Sequence, residues 1–165
     1  MRLPWPQLAG GAAVVAAGVA GLVYAVVPSS PGDASAGGVG EVTIADAYVR
    51  APLPGQTSAA AYFTVDNTTN RPDRVVSVET GAGASAELHN AQMTAMTHPV
   101  VVPAHGSLTL HTGGMHVMIE KLFGPLTKGQ TVNIEVDFAH AGAIDVVAKV
   151  IPYGATPPGA GGNSQ

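Results

Sequence analysis

The chain has 165 residues, 46% of them hydrophobic and 11% charged, with a net charge of −4 and no cysteine. That length and composition support one domain with an ordinary core. The seven Lys and Arg are scattered, so there is no basic patch for nucleic acid, and without cysteine there are no disulfides, thiolate nucleophiles, cysteine-ligated zinc, iron–sulfur clusters or thiolate-bound copper.

Residues 1–36 read as an address and a linker. Arg2 precedes an uncharged apolar run from Leu8 to Val27, and a Pro/Ser/Gly-rich stretch containing Ala34, Ser35 and Ala36 follows. The run is long enough to span a bilayer, so the segment is either a cleaved export signal or a retained N-terminal anchor. Both place the remainder outside the cytoplasm, with membrane contact only through this segment. Lipid attachment to an N-terminal cysteine is excluded for a chain without one.

From residue 37 to residue 153 the dominant period is two. "AAYFTVDN" sets Ala61, Phe63 and Val65 on one face and Tyr62, Thr64 and Asp66 on the other. "DRVVSVET", "SLTLHT", "TVNIEVDF" and "AIDVVAKVIP" behave alike, the third alternating Val132, Ile134, Val136 and Phe138 against Asn133, Glu135 and Asp137. Clusters such as "NTTNRPD", "PAHG" and "LTKGQ" punctuate them as turns. Seven to nine short strands with hairpin-scale connections predict an all-β domain, an antiparallel Greek-key sandwich or barrel of immunoglobulin-like or cupredoxin-like form. Residues 154–165, rich in Gly and Pro, are expected to be a disordered tail.

Four of the five methionines, Met93, Met96, Met115 and Met118, lie close in sequence to His89 or His116. In "MHVMIE" a strand sends Met115, Val117 and Ile119 to one face and His116 and Met118 to the other. The same alternation in "AELHNAQM" parts Ala86 and Leu88 from Glu87 and His89. If the two strands are neighbours, two imidazoles and two or more thioethers converge. Thioether sulfur is soft and neutral, a poor ligand for zinc, calcium or magnesium and a good one for Cu(I) alongside imidazole. A set of neutral donors suits carriage and release of the ion better than redox catalysis. Methionine is also a routine core filler, so on spacing alone a metal site and a packed strand face both stand.

The run from "ELH" through "VVVPAHGSLTLHTGGMHVMIEKL" resembles the periplasmic copper chaperones called PCu(A)C. Their signature is a His, then a Met, then a His-x-Met after a Pro-Ala-Gly-type turn and a Gly pair. The likeness spans about Glu41 to Tyr153, with "ADAYVRAPLPGQTSAAAYFTVDN" also characteristic. It implies a cupredoxin-like fold and one Cu(I) held by His89, His116 and Met118. The fourth ligand it implies is a Met after His89, in a loop shorter here than in the family. Met96 has six residues between it and His89 and nineteen before His116, and Met93 has three and twenty-two. Met96, directly before the "THPVVVPAHG" segment, is the expected ligand, with Met93 as the alternative. The partners implied are the copper ion and either the cytochrome c oxidase subunit that carries the Cu(A) centre or a thioredoxin-like assembly factor.

An additional imidazole from His98, His105 or His111 would admit Cu(II), although the turn position of His105 and the strand-face position of His111 read as surface histidines, and His140 reads as a hairpin-turn residue. Ser58, Ser77, Ser85 and Ser107 sit in no nucleophile elbow, and acidic pairs such as Glu79 with Glu87 or Asp137 with Asp145 read as solvated surface, so no enzymatic activity is expected. An exported adhesion or scaffold module, or a copper storage or tolerance protein, would also accommodate these strands.

Overall fold

The computed structural model describes residues 40–159. The expected export or anchor segment therefore lies outside the described residues, as does the end of the expected tail. Nine strands follow in order: β1 Val42–Arg50, β2 Ala59–Asn67, β3 Asp73–Thr80, β4 Gly83–His89, β5 Val100–Val102, β6 Gly106–Thr109, β7 His116–Leu122, β8 Thr131–Phe138 and β9 Gly142–Ile151. They form one curled sheet in the order β4-β7-β2-β1-β9-β8-β3-β5, with β6 also on β2.

Alternation decides which side chains enter the core. Ala61, Phe63 and Val65 of β2 are buried, and so are Val132, Ile134, Val136 and Phe138 of β8, the two sets predicted from period two. Val49, Val75, Val117, Ile119 and Val150 join them in one cluster. Burying each Val- or Ile-sized side chain contributes about 1.5–3 kcal/mol, so the closed face of the curl is the main source of stability.

Three features depart from a plain antiparallel reading. β1 and β9 run parallel, Tyr48 beside Lys149 and Arg50 beside Ile151, because the two ends of the domain meet side by side at the centre of the sheet. β1 also carries a bulge, its register against β2 shifting between Ala45 and Tyr48, with Asp46 at φ 53°. The extra residue turns Tyr48 onto the same face as Tyr62. Of the expected tail, residues 154–159 fall within the described part. The Arg50 guanidinium donates to the carbonyls of Tyr153 and Ala155, which ties the start of that segment back onto β1.

Asp73 anchors the far end of the sheet. It is 3% exposed and its carboxylate accepts from the backbone N–H of Arg74 at 2.7 Å, His140 at 3.0 Å and Ala141 at 2.9 Å. Burial pushes this carboxyl upward, but the three N–H donors outweigh it and hold the group below the ordinary value.

Candidate metal centre

β4 is an edge strand, and antiparallel pairing with β7 sets His89 directly opposite His116 and Glu87 opposite Met118. On the other side of β7, Ala60 of β2 pairs with Met118 and Ala61 with Val117, which brings Tyr62 beside His116. Tyr62 in turn pairs with Tyr48 across β2 and β1. The result is a row of rings across four strands: His89 to His116 at 5.7 Å, His116 to Tyr62 at 6.2 Å, and Tyr62 stacked on Tyr48 at 4.9 Å between centroids.

The alternation expected for "MHVMIE" holds, with Val117 and Ile119 in the core and His116 and Met118 on the other face. That face is not an open polar surface at this level, since His116 is 4% and His89 8% exposed. The neighbouring rings and the loop after β4 cover them. Histidines at a paired end of two strands are thus buried without being part of the apolar core.

Each imidazole has one fully buried nitrogen without a hydrogen-bond partner among the described residues, His89 Nδ1 and His116 Nε2. His116 Nδ1 lies 3.0 Å from the Gly114 carbonyl oxygen. A carbonyl only accepts, so the proton sits on Nδ1 and the lone pair on Nε2. His89 Nε2 is 4.0 Å from Glu87 Oε2, too long for a hydrogen bond. Leaving a buried polar atom unpaired costs about 1–3 kcal/mol. Two such atoms on facing imidazoles suit a pair of ligands kept ready for an electrophile.

The loop after β4 is organised by Asn90. Its side-chain oxygen accepts from the N–H of Gln92 and Thr94, both at 3.0 Å, and its backbone N–H donates to the Thr94 carbonyl. Met93 stands at the apex with φ 62°, uncommon for a residue with a Cβ. The chain then returns along β4, Ala95 bridging His89 and Met96 N–H donating to the Leu88 carbonyl at 2.8 Å.

This return separates the two candidate sulfurs. Met93 lines a cavity of about 410 Å³ together with His116 and Met118. Met96 lines a different cleft, with Val75, Val78, Leu88 and Pro99, as expected for the residue after one that shares the His89 face. Met115 is half-buried against the core. His98, His105, His111 and His140 are exposed, and among the described residues no three His, Asp or Glu side chains converge as a metal site.

Sequence reasoning missed the tyrosine row, the Gly114 carbonyl and Arg50. The placement of Tyr62 opposite Ala61 and Phe63 was a usable signal for the first. Tyr48 was hidden by the bulge, and a backbone carbonyl or a turn-fixed cation leaves no periodic trace.

Comparison with known proteins identifies the fold and the family. The family described as "Putative lipoprotein LpqE-like" matches residues 42–150. "Putative lipoprotein Lxx21020" of Leifsonia xyli subsp. xyli is 30% identical over 116 residues, which cover 66% of this chain and 69% of that protein. Among solved structures, the copper-bound PCuAC domain from PmoF2 superposes with a TM-score of 0.61 at 29% identity, covering 70% of this chain and 96% of that one. The solution structure of CuI-DR1885 from Deinococcus radiodurans gives 0.56 at 31% identity, covering 66% and 76%. The curled all-β sheet is thus the cupredoxin-like PCuAC fold, a binding domain and not an enzyme. The chain belongs to the LpqE-like family, and its domain is a PCuAC domain. Kinship with lipoproteins places that domain outside the cytoplasm.

Proposed function

We propose that the protein is an extracytoplasmic copper chaperone that binds one Cu(I) through His89, His116, Met118 and a second thioether. The observation that carries this reading is the pair of facing, buried imidazoles, each with a buried nitrogen that has no hydrogen-bond partner among the described residues, with Met118 one alternation along the same strand face. Relatives of the same fold include a copper-bound PCuAC domain and a CuI-DR1885 structure, which supports copper as the cargo. Cu(I) accepts imidazole and thioether together, and because all these donors are neutral the ion keeps its charge and can leave by ligand exchange. Geometry favours Met93 over Met96 as the second sulfur, since only Met93 lines the cavity that His116 and Met118 line.

Within this reading the ion passes toward the Cu(A) centre of cytochrome c oxidase, directly or through a thioredoxin-like partner, with the N-terminal apolar segment directing export or holding the domain at the membrane. The test is an anaerobic competition titration with a chromogenic Cu(I) chelator, parent beside His116→Ala. One tightly bound equivalent in the parent, weakened by two orders of magnitude or more in a folded variant, is the expected result on the scale of ligand loss. A parent that fails to compete, or a variant that competes equally, refutes it.

A further inference from the structure

Arg50 occupies the far end of the cavity that opens over Met118. It pairs with Ala60 across β1 and β2, and Ala60 pairs with Met118 across β2 and β7. Arg50 and Met118 thus stand at one level of the sheet with Ala60 between them, their Cα atoms about 10 Å apart on ordinary strand spacing, and both side chains line the same cavity. Thr112, Gln56 and Tyr62 complete the Arg50 end of the cavity.

The hydrogen bonds of Arg50 are all to neutral oxygens, and its guanidinium carbon lies 5.8 Å from the centroid of the Tyr48 ring. Nε donates to Thr112 Oγ1 at 3.2 Å, and Nη1 donates to the carbonyls of Tyr153 and Ala155. Among the described residues no carboxylate lies within ion-pair distance of it. A half-buried cation fixed by neutral acceptors keeps its full charge and has donors to spare. The phenol of Tyr62, pushed up by burial, stays protonated and adds a neutral hydroxyl at the same end.

We infer that this end of the cavity is a carboxylate subsite. It takes an acidic side chain of the protein that accepts the copper, and so lays that acceptor's sulfur or imidazole against the metal. The inference rests on the Cu(I) reading above. With neutral ligands the loaded centre carries one positive charge, faced on the β4 side by Glu87, and Arg50 adds a positive charge on the β1 side, so an acceptor bearing a carboxylate beside its donor complements the Arg50 side. In the transfer step a bond forms between the acceptor's donor atom and Cu(I) as a Cu–thioether bond breaks. A thiol donor releases its proton to solvent, and copper remains monovalent, so no oxidant or reductant is required.

Small thiols of different charge test this with the full chain. Cu(I) extraction by mercaptoacetate, 2-mercaptoethanol and cysteamine is followed anaerobically, with rates compared per thiolate. The parent is expected to favour the carboxylate-bearing thiol over the neutral one on the order of tenfold, less at high salt, and to disfavour the cationic one. Arg50→Gln collapses that preference, Arg50→Lys keeps most of it, and Arg74→Gln, which removes an equal charge from exposed β3, leaves it intact. An unchanged preference in Arg50→Gln, or an equal loss in Arg74→Gln or Arg50→Lys, overturns the subsite.

A second arm needs no copper. Acetate titrated into the apoprotein should shift the Arg50 Nε–H and Thr112 amide resonances saturably in the parent, and should leave the Thr112 amide unshifted in Arg50→Gln. The absence of such a shift overturns the subsite even if copper binds. A parent that binds no Cu(I) but shows the acetate shift sinks the copper reading and leaves the anion site standing.

Discussion

His89 on β4 and His116 on β7 face each other across an antiparallel pair, rings 5.7 Å apart and inclined at 51°, each with one buried nitrogen that none of the described residues satisfies. The two nitrogens differ: Nδ1 on His89 and Nε2 on His116. The Gly114 carbonyl fixes the second, and the sheet register fixes the separation. A site built in this way is held by backbone pairing before any ion arrives, which limits the reorganisation that loading requires.

That arrangement sets function against stability in the apoprotein. His89→Leu removes an unpaired buried nitrogen and keeps an apolar body in its place, so the apo variant should be as stable as the parent or more so by about 1 kcal/mol. The parent should gain about 2.7 kcal/mol when free Cu(I) reaches a hundred times its dissociation constant, and the variant far less. Thermal unfolding with and without buffered Cu(I) reads both; a variant that is markedly less stable without copper would show that the imidazole is a packing element.

Met93 and Met96 part on the same reasoning. Met93→Ala should weaken Cu(I) binding by on the order of tenfold or more with little change in melting temperature, because the side chain is 59% exposed. Met96→Ala should leave affinity within about a factor of two, because Met96 lines the Leu88 cleft instead. Competition titrations on the two single variants decide it, and the reverse order would put the sulfur ligand at Met96.

Away from the two histidines, Glu135 of β8 is directly opposite both Glu79 of β3 and Asp145 of β9. Like charges in direct cross-strand pairs are destabilising, about 0.2–1 kcal/mol each. Glu135→Lys turns two repulsions into two attractions, so it should raise stability by about 1 kcal/mol at low salt and by less as salt screens the exposed partners. Urea denaturation at two ionic strengths tests this without involving the metal centre.

Asp73 predicts an acid limb. Its folded-state value is depressed, so its contribution is fully present above the unfolded value of about 3.9 and is lost as pH falls through the lower folded value. Asp73→Asn, which cannot accept from all three N–H groups, should cost about 1–3 kcal/mol at neutral pH. The gap between parent and variant should stay constant down to about pH 4 and close below it, as urea midpoints across that range would show. A gap that persists at lower pH would mean the carboxylate charge is not what matters there.

Much of this molecule was legible from alternation alone. Phe63, Ile134 and Val136 are core because every second residue of a half-buried strand must be, and the His-x-Met pair fell on one face for the same reason. The burial of His89 and His116 was not legible, because it depends on β4 being the neighbour of β7 and on a loop that folds back over the edge. Nor was the separation of Met93 from Met96. It follows from the Asn90-organised turn and the His89–Ala95 bridge, where one residue of register exchanges the two faces. Arg50 escaped notice because its partners, Thr112, Tyr153 and Ala155, lie far along the chain and offer it no opposite charge.

The central claim is that the two facing imidazoles and the thioethers beside them form one Cu(I) site. X-ray absorption at the copper edge of the Cu(I)-loaded protein tests it most directly. The account predicts a monovalent edge with both nitrogen and sulfur in the first coordination shell, the nitrogen contribution falling in His116→Ala and the sulfur contribution in Met118→Ala. A shell of nitrogen and oxygen alone, or one unchanged by either substitution, would contradict it.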